Sequence, residues 1–280
     1  MTPDQKRDYV RQLQESGLSQ RQACRAMALS RTVLNYQPKL ATDDDIIAAL
    51  QELAERFPER GFGKYFQLLR RRGHCWNHKK VYRVYCQLKM NLRRIGKKRL
   101  PSRHPRPLAV PVEINKSWSI DFMSDALWCG RRFRTLNVVD DFNREVLAIE
   151  IDLNLPASRV IRVLERIVAW RGFPEQIRTD NGPEFISASL ADWAQKHEIH
   201  LEFIEPGRPM QNGFIEHFNR SYRQGVLDMY VFKSLQEVKE RTEQWMNDYN
   251  EQCPHDSLNG MTPVEYRLFH QPQNSSNTWH

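Results

Sequence analysis

The chain has 280 residues, 15 prolines and 27% charged side chains, with 40% hydrophobic and 10% aromatic content, enough for two domains and their connectors. No stretch approaches the roughly 18 uninterrupted apolar residues of a membrane span, which excludes a helical membrane protein, and the polar N-terminus lacks a signal segment, so a cytoplasmic, nucleoid-associated location is expected. The net charge of +8 is unevenly spread: up to Val112 there are 24 Lys and Arg against 9 Asp and Glu, a net of +15, and beyond it 18 against 25, a net of −7. The first half is built to meet a polyanion, nucleic acid above all, and the second for chemistry that needs carboxylates.

Residues 5–15 read as a helix broken at Gly17, and Ser19 caps a second one to Met27. After the turn at Ala28-Leu29-Ser30, a third runs from Arg31 to Gln37 and carries Arg31 and Asn35 outward. This is a helix-turn-helix pattern, a DNA-binding segment over 1–40, although a plain helical hairpin has the same periodicity. Helices at Asp43–Phe57, Gly61–Arg72 and His78–Leu92 form a second such domain over 41–92, with Arg71, Arg72, Lys79, Lys80 and Arg83 as candidate phosphate contacts. His74, Cys75, His78 and Cys86 fit no zinc-ligand spacing, and the five scattered cysteines fit no disulfide framework.

Residues 93–112 read RRIGKKRLPSRHPRPLAVPV, with seven Lys/Arg, no acid and four prolines. Proline lacks the backbone donor and restricts its neighbour, so this is an extended basic linker in which Lys97, Lys98 and Arg99 can lie along a phosphate backbone. Beyond it, strands are expected at Ile114–Met123, Arg132–Val139 and Glu145–Ile151, a helix at Pro156–Trp170, a strand at Gln176–Thr179, a helix at Ser187–His197 and a strand at His200–Ile204. Helices at Gln211–Leu227 and Ser234–Tyr249 close a domain over 113–250, and 251–280 is left as a tail. Three meandering strands followed by alternating helices and strands make an α/β protein with a mixed five-stranded sheet flanked by helices.

Three carboxylates stand out. In Trp118-Ser119-Ile120-Asp121-Phe122-Met123 the period of two puts Trp118, Ile120 and Phe122 on one face, so Trp118 is core, and sets Asp121 on the other face of an apolar strand, a costly place unless it is paired or binds metal. Asp180 opens the Asp180-Asn181-Gly182 turn at the carboxyl end of a strand, the edge where α/β sheets build sites. Along the helix from Gln211, Phe214, Phe218 and Tyr222 share one side, whereas Glu216, Arg220 and Arg223 cluster on the opposite side. An edge-strand aspartate, an ordinary turn and a solvent-facing Glu–Arg pair are the plain alternatives for each alone. Asp125, Asp140, Asp141 and Glu184 are competing acids, and Asn181, Asn212, His217, Arg220 and Arg223 are candidate DNA or supporting contacts.

Asp121, Asp180 and Glu216, with 35 residues between the last two, resemble the DDE catalytic core of the retroviral-integrase and bacterial insertion-sequence transposase superfamily. The segments WSIDFMSD, VVDDFNREVLAIEI, IRTDNGPEF, PGRPMQNGFIEHFNRSYR and YNEQCPHDSLNGMTPVEYR carry that resemblance in order and spacing over residues 44–268. It implies a ribonuclease-H-like fold behind small helix-turn-helix domains, and a DNA transposase that nicks element ends and joins the 3′-hydroxyl to DNA through a circularised intermediate. The expected cofactor is Mg²⁺ or Mn²⁺, two ions about 3.5–4 Å apart, with Asp121 bridging both and Asp180 and Glu216 each holding one. Duplex DNA, a second copy of the chain and an upstream-frame protein or fusion supplying a further helix-turn-helix and coiled coil are the implied partners. A DNA-binding repressor or inactive remnant and a ribonuclease-H-type RNA nuclease are the competing functions, and the basic helix-turn-helix half disfavours the nuclease.

Overall fold

A computed structural model describes residues 1–36, 43–92, 110–205 and 212–270. The chain divides into two compact units, Met1–Asp45 and Ile46–His280. In the first, α1 (Pro3–Glu15), α2 (Gln20–Ala26) and α3 (Arg31–Leu34) start on Thr2, Ser19 and Ser30, each of whose hydroxyls accepts a backbone N–H of the first turn. Gly17, at φ +98°, makes the turn after α1. Val10, Ala23 and Cys24 form a small core with Leu13, Met27, Leu29 and Leu34. Arg31 and Asn35 are exposed on α3, which is shorter than the periodicity implies because Asn35 caps it.

The second unit opens with α4 (Asp44–Arg56), α5 (Phe62–Arg71) and α6 (His78–Gln87), which bury Ile46, Leu50, Leu53, Tyr65, Leu69, Val81 and Tyr85 between them. The helix read as running to Leu92 ends at Gln87, because Lys89 turns left-handed at φ +56° and the Met90 N–H returns to the Tyr85 carbonyl at 3.3 Å. His74 stacks on Trp76 and His78 meets Phe62 and Phe66 edge-on, so these histidines are in packing, not in a zinc site.

Then comes the sheet: β1 (Ser117–Ala126), β2 (Arg132–Asp140), β3 (Val146–Asp152), β4 (Gln176–Thr179) and β5 (His200–Phe203), in the order β3-β2-β1-β4-β5. The first three strands are antiparallel, and β4 and β5 run parallel to β1. Strand alternation sorts the apolar residues into two cores. Trp118, Ile120, Leu136 and Val138 pack under α7 (Ala157–Arg171) and α8 (Ala188–Lys196), while Met123, Phe133, Val139 and Ile151 meet α9 (Gly213–Tyr222) and α10 (Leu235–Glu251). A mixed five-stranded sheet covered by helices on both faces is the α/β architecture expected, with Trp118 wholly buried.

Two details depart from the periodicity. The helix expected over Gln211–Leu227 is α-helical to Tyr222 and then widens into a π-helical turn over Arg223–Leu227, where Gly225 lies against Trp245: a Cβ there would stand 2.3 Å from its Nε1. Residues 251–280, read as a tail, contain a 3₁₀ turn at Asp256–Leu258 and α11 (Pro263–His270). That helix is built into the unit: Asn143 Nδ2 donates to the Pro263 carbonyl at 3.1 Å, Tyr266 packs on Phe142, and Glu265 pairs with Arg71. Arg56–Asp248 at 2.7 Å and Lys64–Asp256 at 3.1 Å join α4 and α5 to the same C-terminal region. Among the described residues no helix is long and apolar enough to cross a membrane.

Candidate active site at the β1, β4 and α9 junction

The parallel pairing of β1 with β4 fixes the first relation. Ser117, Trp118 and Ser119 face Gln176, Ile177 and Arg178, and the same offset carried two residues on sets Asp121 level with Asp180. Asp180 follows the last residue of β4, where its Oδ1 accepts the Gly182 N–H at 3.0 Å. A Cβ at Gly182 would stand 3.0 Å from that carboxylate oxygen, a close approach that glycine avoids. Asn181 Nδ2 donates to the Ile204 carbonyl at 3.0 Å and pins the turn to the end of β5, a holding role within the fold.

The second relation runs through α9. Its Ile215, Phe218 and Tyr222 are buried against the sheet, and Asn219 Nδ2 donates to Asp121 Oδ2 at 2.7 Å. Asn219 Oδ1 in turn accepts from Asn137 Nδ2 at 2.7 Å, and Asn137 is the cross-strand partner of Asp121. This β2–α9–β1 relay ties the helix to the strand at the height of Asp121. Glu216 lies one turn earlier on the same side of α9 and is exposed. Burial first, and then the negative charges of Asp180 and Glu216, push the Asp121 carboxyl up to about 6, against the opposing hydrogen bonds from the Phe122 N–H and Asn219. The charges of Asp180 and Glu216 thus bear on Asp121. Among the described residues no group of three His, Cys, Asp or Glu side chains is placed to hold a metal ion. Asp121, Asp180 and Glu216 offer only oxygen donors, a composition that fits a hard divalent cation.

The competing acids are engaged elsewhere. Asp141 is buried, accepts from Ser117 and Ser119 hydroxyls at 2.8 and 2.6 Å and meets Arg178 at 3.2 Å. Asp140 shares Arg171 with Glu145, at 3.1 and 2.9 Å. Glu184 is paired with Arg134, whose guanidinium lies 4.2 Å over Phe122, and Asp125 meets Arg223 at 3.2 Å.

The candidate DNA contacts divide in the same way. Arg31, Asn35, Lys79 and Arg220 are exposed, whereas Arg71 pairs with Glu265, Arg72 reaches Glu52 at 3.0 Å, Arg83 meets Gln87 at 3.4 Å and Arg223 is turned to Asp125. Lys80 is half-buried on α6. Asn212 is buried before the first turn of α9, its Oδ1 without a partner among the described residues. Lys97, Lys98 and Arg99 lie outside the described residues. Sequence reading missed Asn137 and Asn219. The available signals were a lone asparagine inside the apolar strand Arg132–Asp140 and a second one three residues after Glu216, between buried Phe218 and Tyr222.

The fold is that of a ribonuclease-H-like integrase core. In agreement, two family signatures described as Integrase core domain match residues 111–209 and 197–263. A 31.7 kDa protein of insertion element IS407 from Burkholderia multivorans is 39% identical, covering 90% of this chain and 92% of that protein. A 39.2 kDa protein of insertion element IS476 from Xanthomonas euvesicatoria is 36% identical over 99% of this chain and 81% of its own length. Among solved structures, a simian T-cell lymphotropic virus intasome, in complex with a PP2A regulatory subunit, superimposes with a TM-score of 0.51 at 17% identity, over 82% of this chain and 76% of that one, a likeness of fold. The chain belongs to the bacterial insertion-sequence transposases of the DDE integrase superfamily.

Proposed function

We propose that this transposase nicks the ends of its insertion sequence and joins the freed 3′-hydroxyl to DNA, with Asp121, Asp180 and Glu216 as the catalytic carboxylates. What carries the reading is the placement of the three groups: Asp121 stands on β1, Asp180 directly follows the adjacent parallel strand β4, Glu216 is on the helix tied to β1, and the charges of Asp180 and Glu216 both bear on Asp121. These three side chains would hold Mg²⁺ or Mn²⁺, and two such ions when bound raise the nucleophilicity of the attacking oxygen and neutralise charge on the leaving one.

The chain's own residues do the rest. Asn219 fixes the rotamer of Asp121 through Oδ2, and the Gly182 N–H does the same for Asp180 through Oδ1. Glu216, exposed and with no such tie among the described residues, can swing in as the opposing charge arrives. Arg220, exposed one turn beyond Glu216, is placed to meet a backbone phosphate of the bound strand. Exposed Arg31 and Asn35 in the first unit, Lys79 on α6 and the linker cations Lys97, Lys98 and Arg99 extend that contact along duplex DNA. Paired cutting of two element ends requires at least two copies of the chain, joined on DNA, with an upstream-frame protein or fusion as a further partner. The divisions at residues 1–40, 41–92, 93–112, 113–250 and 251–280 serve this as DNA-reading, linking, catalytic and closing segments.

The deciding experiment is cleavage of a duplex carrying the element's own end in Mg²⁺ or Mn²⁺. A nick leaving a 3′-hydroxyl, followed by strand-transfer product, is expected from the wild type. Asp180→Asn should bind the duplex and give neither product; retained cleavage would sink the assignment.

A further inference from the structure

A cavity of about 450 Å³ opens on the flank of α9 that carries His217 and Ser221, where the end of α10 and the turns after α4 and α10 close around Arg60, Lys64, Tyr249 and His255. Glu216 lies 100° around the same helix. Two buried polar atoms of residues in its wall have no partner among the described residues: Nη1 of Arg60, a residue only 8% exposed, and Nε2 of His255. The Arg60 guanidinium is fixed 3.7 Å over the Phe57 ring, with Nε 3.3 Å from Glu59, which leaves Nη1 uncommitted. Lys64 Nζ donates to the Pro254 carbonyl at 2.8 Å and to Asp256 at 3.1 Å, and an ammonium has a third donor. Of the two carboxylates at this site, the Asp256 side chain is 79% exposed and screened by water, whereas that of Glu59 is 20% exposed and already engaged with Arg60 Nε, so what the cavity offers an anion is its uncommitted donors. Burial first, and then the charges of Lys64, His217, Arg144 and Arg60, hold His255 down at about 3. A neutral imidazole there still offers an N–H.

We propose that this cavity is an anion site that seats one backbone phosphate of the DNA strand running past α9, with Arg60 Nη1, Lys64 Nζ and His255 Nε2 as its donors. It rests on the assignment of DNA as substrate. The apolar wall supplied by Trp245 and Tyr249 gives the sugar a dry surface. Flanks 100° apart on a helix about 10–12 Å across are separated by about 8–9 Å, and successive nucleotides rise about 3.4 Å, so the seated phosphate lies about two to three nucleotides from the one at Glu216. The site would set register: which phosphodiester meets the carboxylates is decided by which one is held here.

Two measurements on the full chain test this. First, inorganic phosphate is titrated into protein labelled with ¹⁵N-histidine, at ionic strength held constant with chloride. A saturable shift of the His255 ring signals is expected, lost in Arg60→Gln and weakened about tenfold in Lys64→Gln, a half-exposed position, with the fold of each variant checked by its melting curve. No His255 response to phosphate in a folded wild-type protein overturns the site. Second, single neutral methylphosphonates are placed along the cleaved strand of the element end. One position about two to three nucleotides from the nick should cost about tenfold in wild-type affinity and nothing further in Lys64→Gln. Equal, additive losses in both proteins at every position would show that the cavity does not take DNA. If phosphate binds but no duplex is cleaved, the transposase reading has failed and the anion site stands.

Discussion

Replacing Asn219 by alanine removes both hydrogen bonds of the relay at once. Asn137 is fully buried, its Oδ1 already lacks a partner among the described residues, and its Nδ2 would lose the 2.7 Å acceptor. An orphaned buried donor costs about 1–3 kcal/mol, and the lost donor to the half-buried Asp121 adds about 1 kcal/mol, since water recovers part of it. The sum, about 3 kcal/mol, lowers the melting temperature of a unit of this size by about 6–12 °C. Stability alone does not distinguish a packing role from a positioning one, so the second readout is the divalent-ion concentration for half-maximal cleavage. A ligand that has lost its supporting hydrogen bond binds metal about tenfold more weakly. Asn219→Asp sharpens the test: it keeps the shape and the acceptor for Asn137 but sets a carboxylate against Asp121, and should lose cleavage even at saturating Mn²⁺. An Asn219→Ala protein that melts within about 2 °C of wild type and needs no more ion would refute the relay as a positioning device.

Other perturbations probe separate parts of the molecule. Gly225→Ala puts a methyl 2.3 Å from Trp245 Nε1 and should destabilise by about 1–3 kcal/mol, read as a lower urea midpoint with an unchanged slope; an unshifted midpoint would mean the π-helical turn yields freely. Arg171→Met leaves Asp140 and Glu145 buried without their shared cation and should cost about 3–5 kcal/mol; a neutral result would deny the triad any structural part. His255 is held neutral at about 3, below its unfolded value near 6.5. Its contribution is therefore complete above pH 6.5 and is lost as pH falls toward 3, at up to about 1.4 kcal/mol per unit. His255→Gln should flatten the stability profile between pH 6.5 and 5, and an unchanged slope there would count against burial of the neutral ring.

The sheet and its helices were legible because each strand alternates and each helix repeats at 3.6, so Trp118, Ile120 and Phe122 could be separated from Asp121 by counting alone. The three carboxylates were legible for the same reason: charge on an apolar strand, at a strand's end and on the polar side of a helix is visible as an interruption of pattern. Asn137 and Asn219 carry no charge and interrupt little, and their meaning lies in a contact across 82 residues that no local pattern encodes. The cations misled in the opposite sense. Arg71 and Arg223 read as candidate phosphate contacts on polar helix faces, but Glu265 and Asp125 come to meet them from distant parts of the chain. Helix α11 was passed over as tail because eight residues of modest amphipathicity after two turns give little periodicity to read.

The bonds from α4 and α5 to the C-terminal region have a consequence for how the protein is made. Arg56, Lys64 and Arg71 find their partners at Asp248, Asp256 and Glu265, 192 to 194 residues later in the chain. During synthesis these cations emerge early and each stays without its partner until the C-terminal region has left the ribosome, so these contacts are among the last to form. A product ended before Glu265 has every strand of the sheet but lacks the last helix and the Arg71 contact, and is expected to be cleaved by proteases more readily than the longer chain.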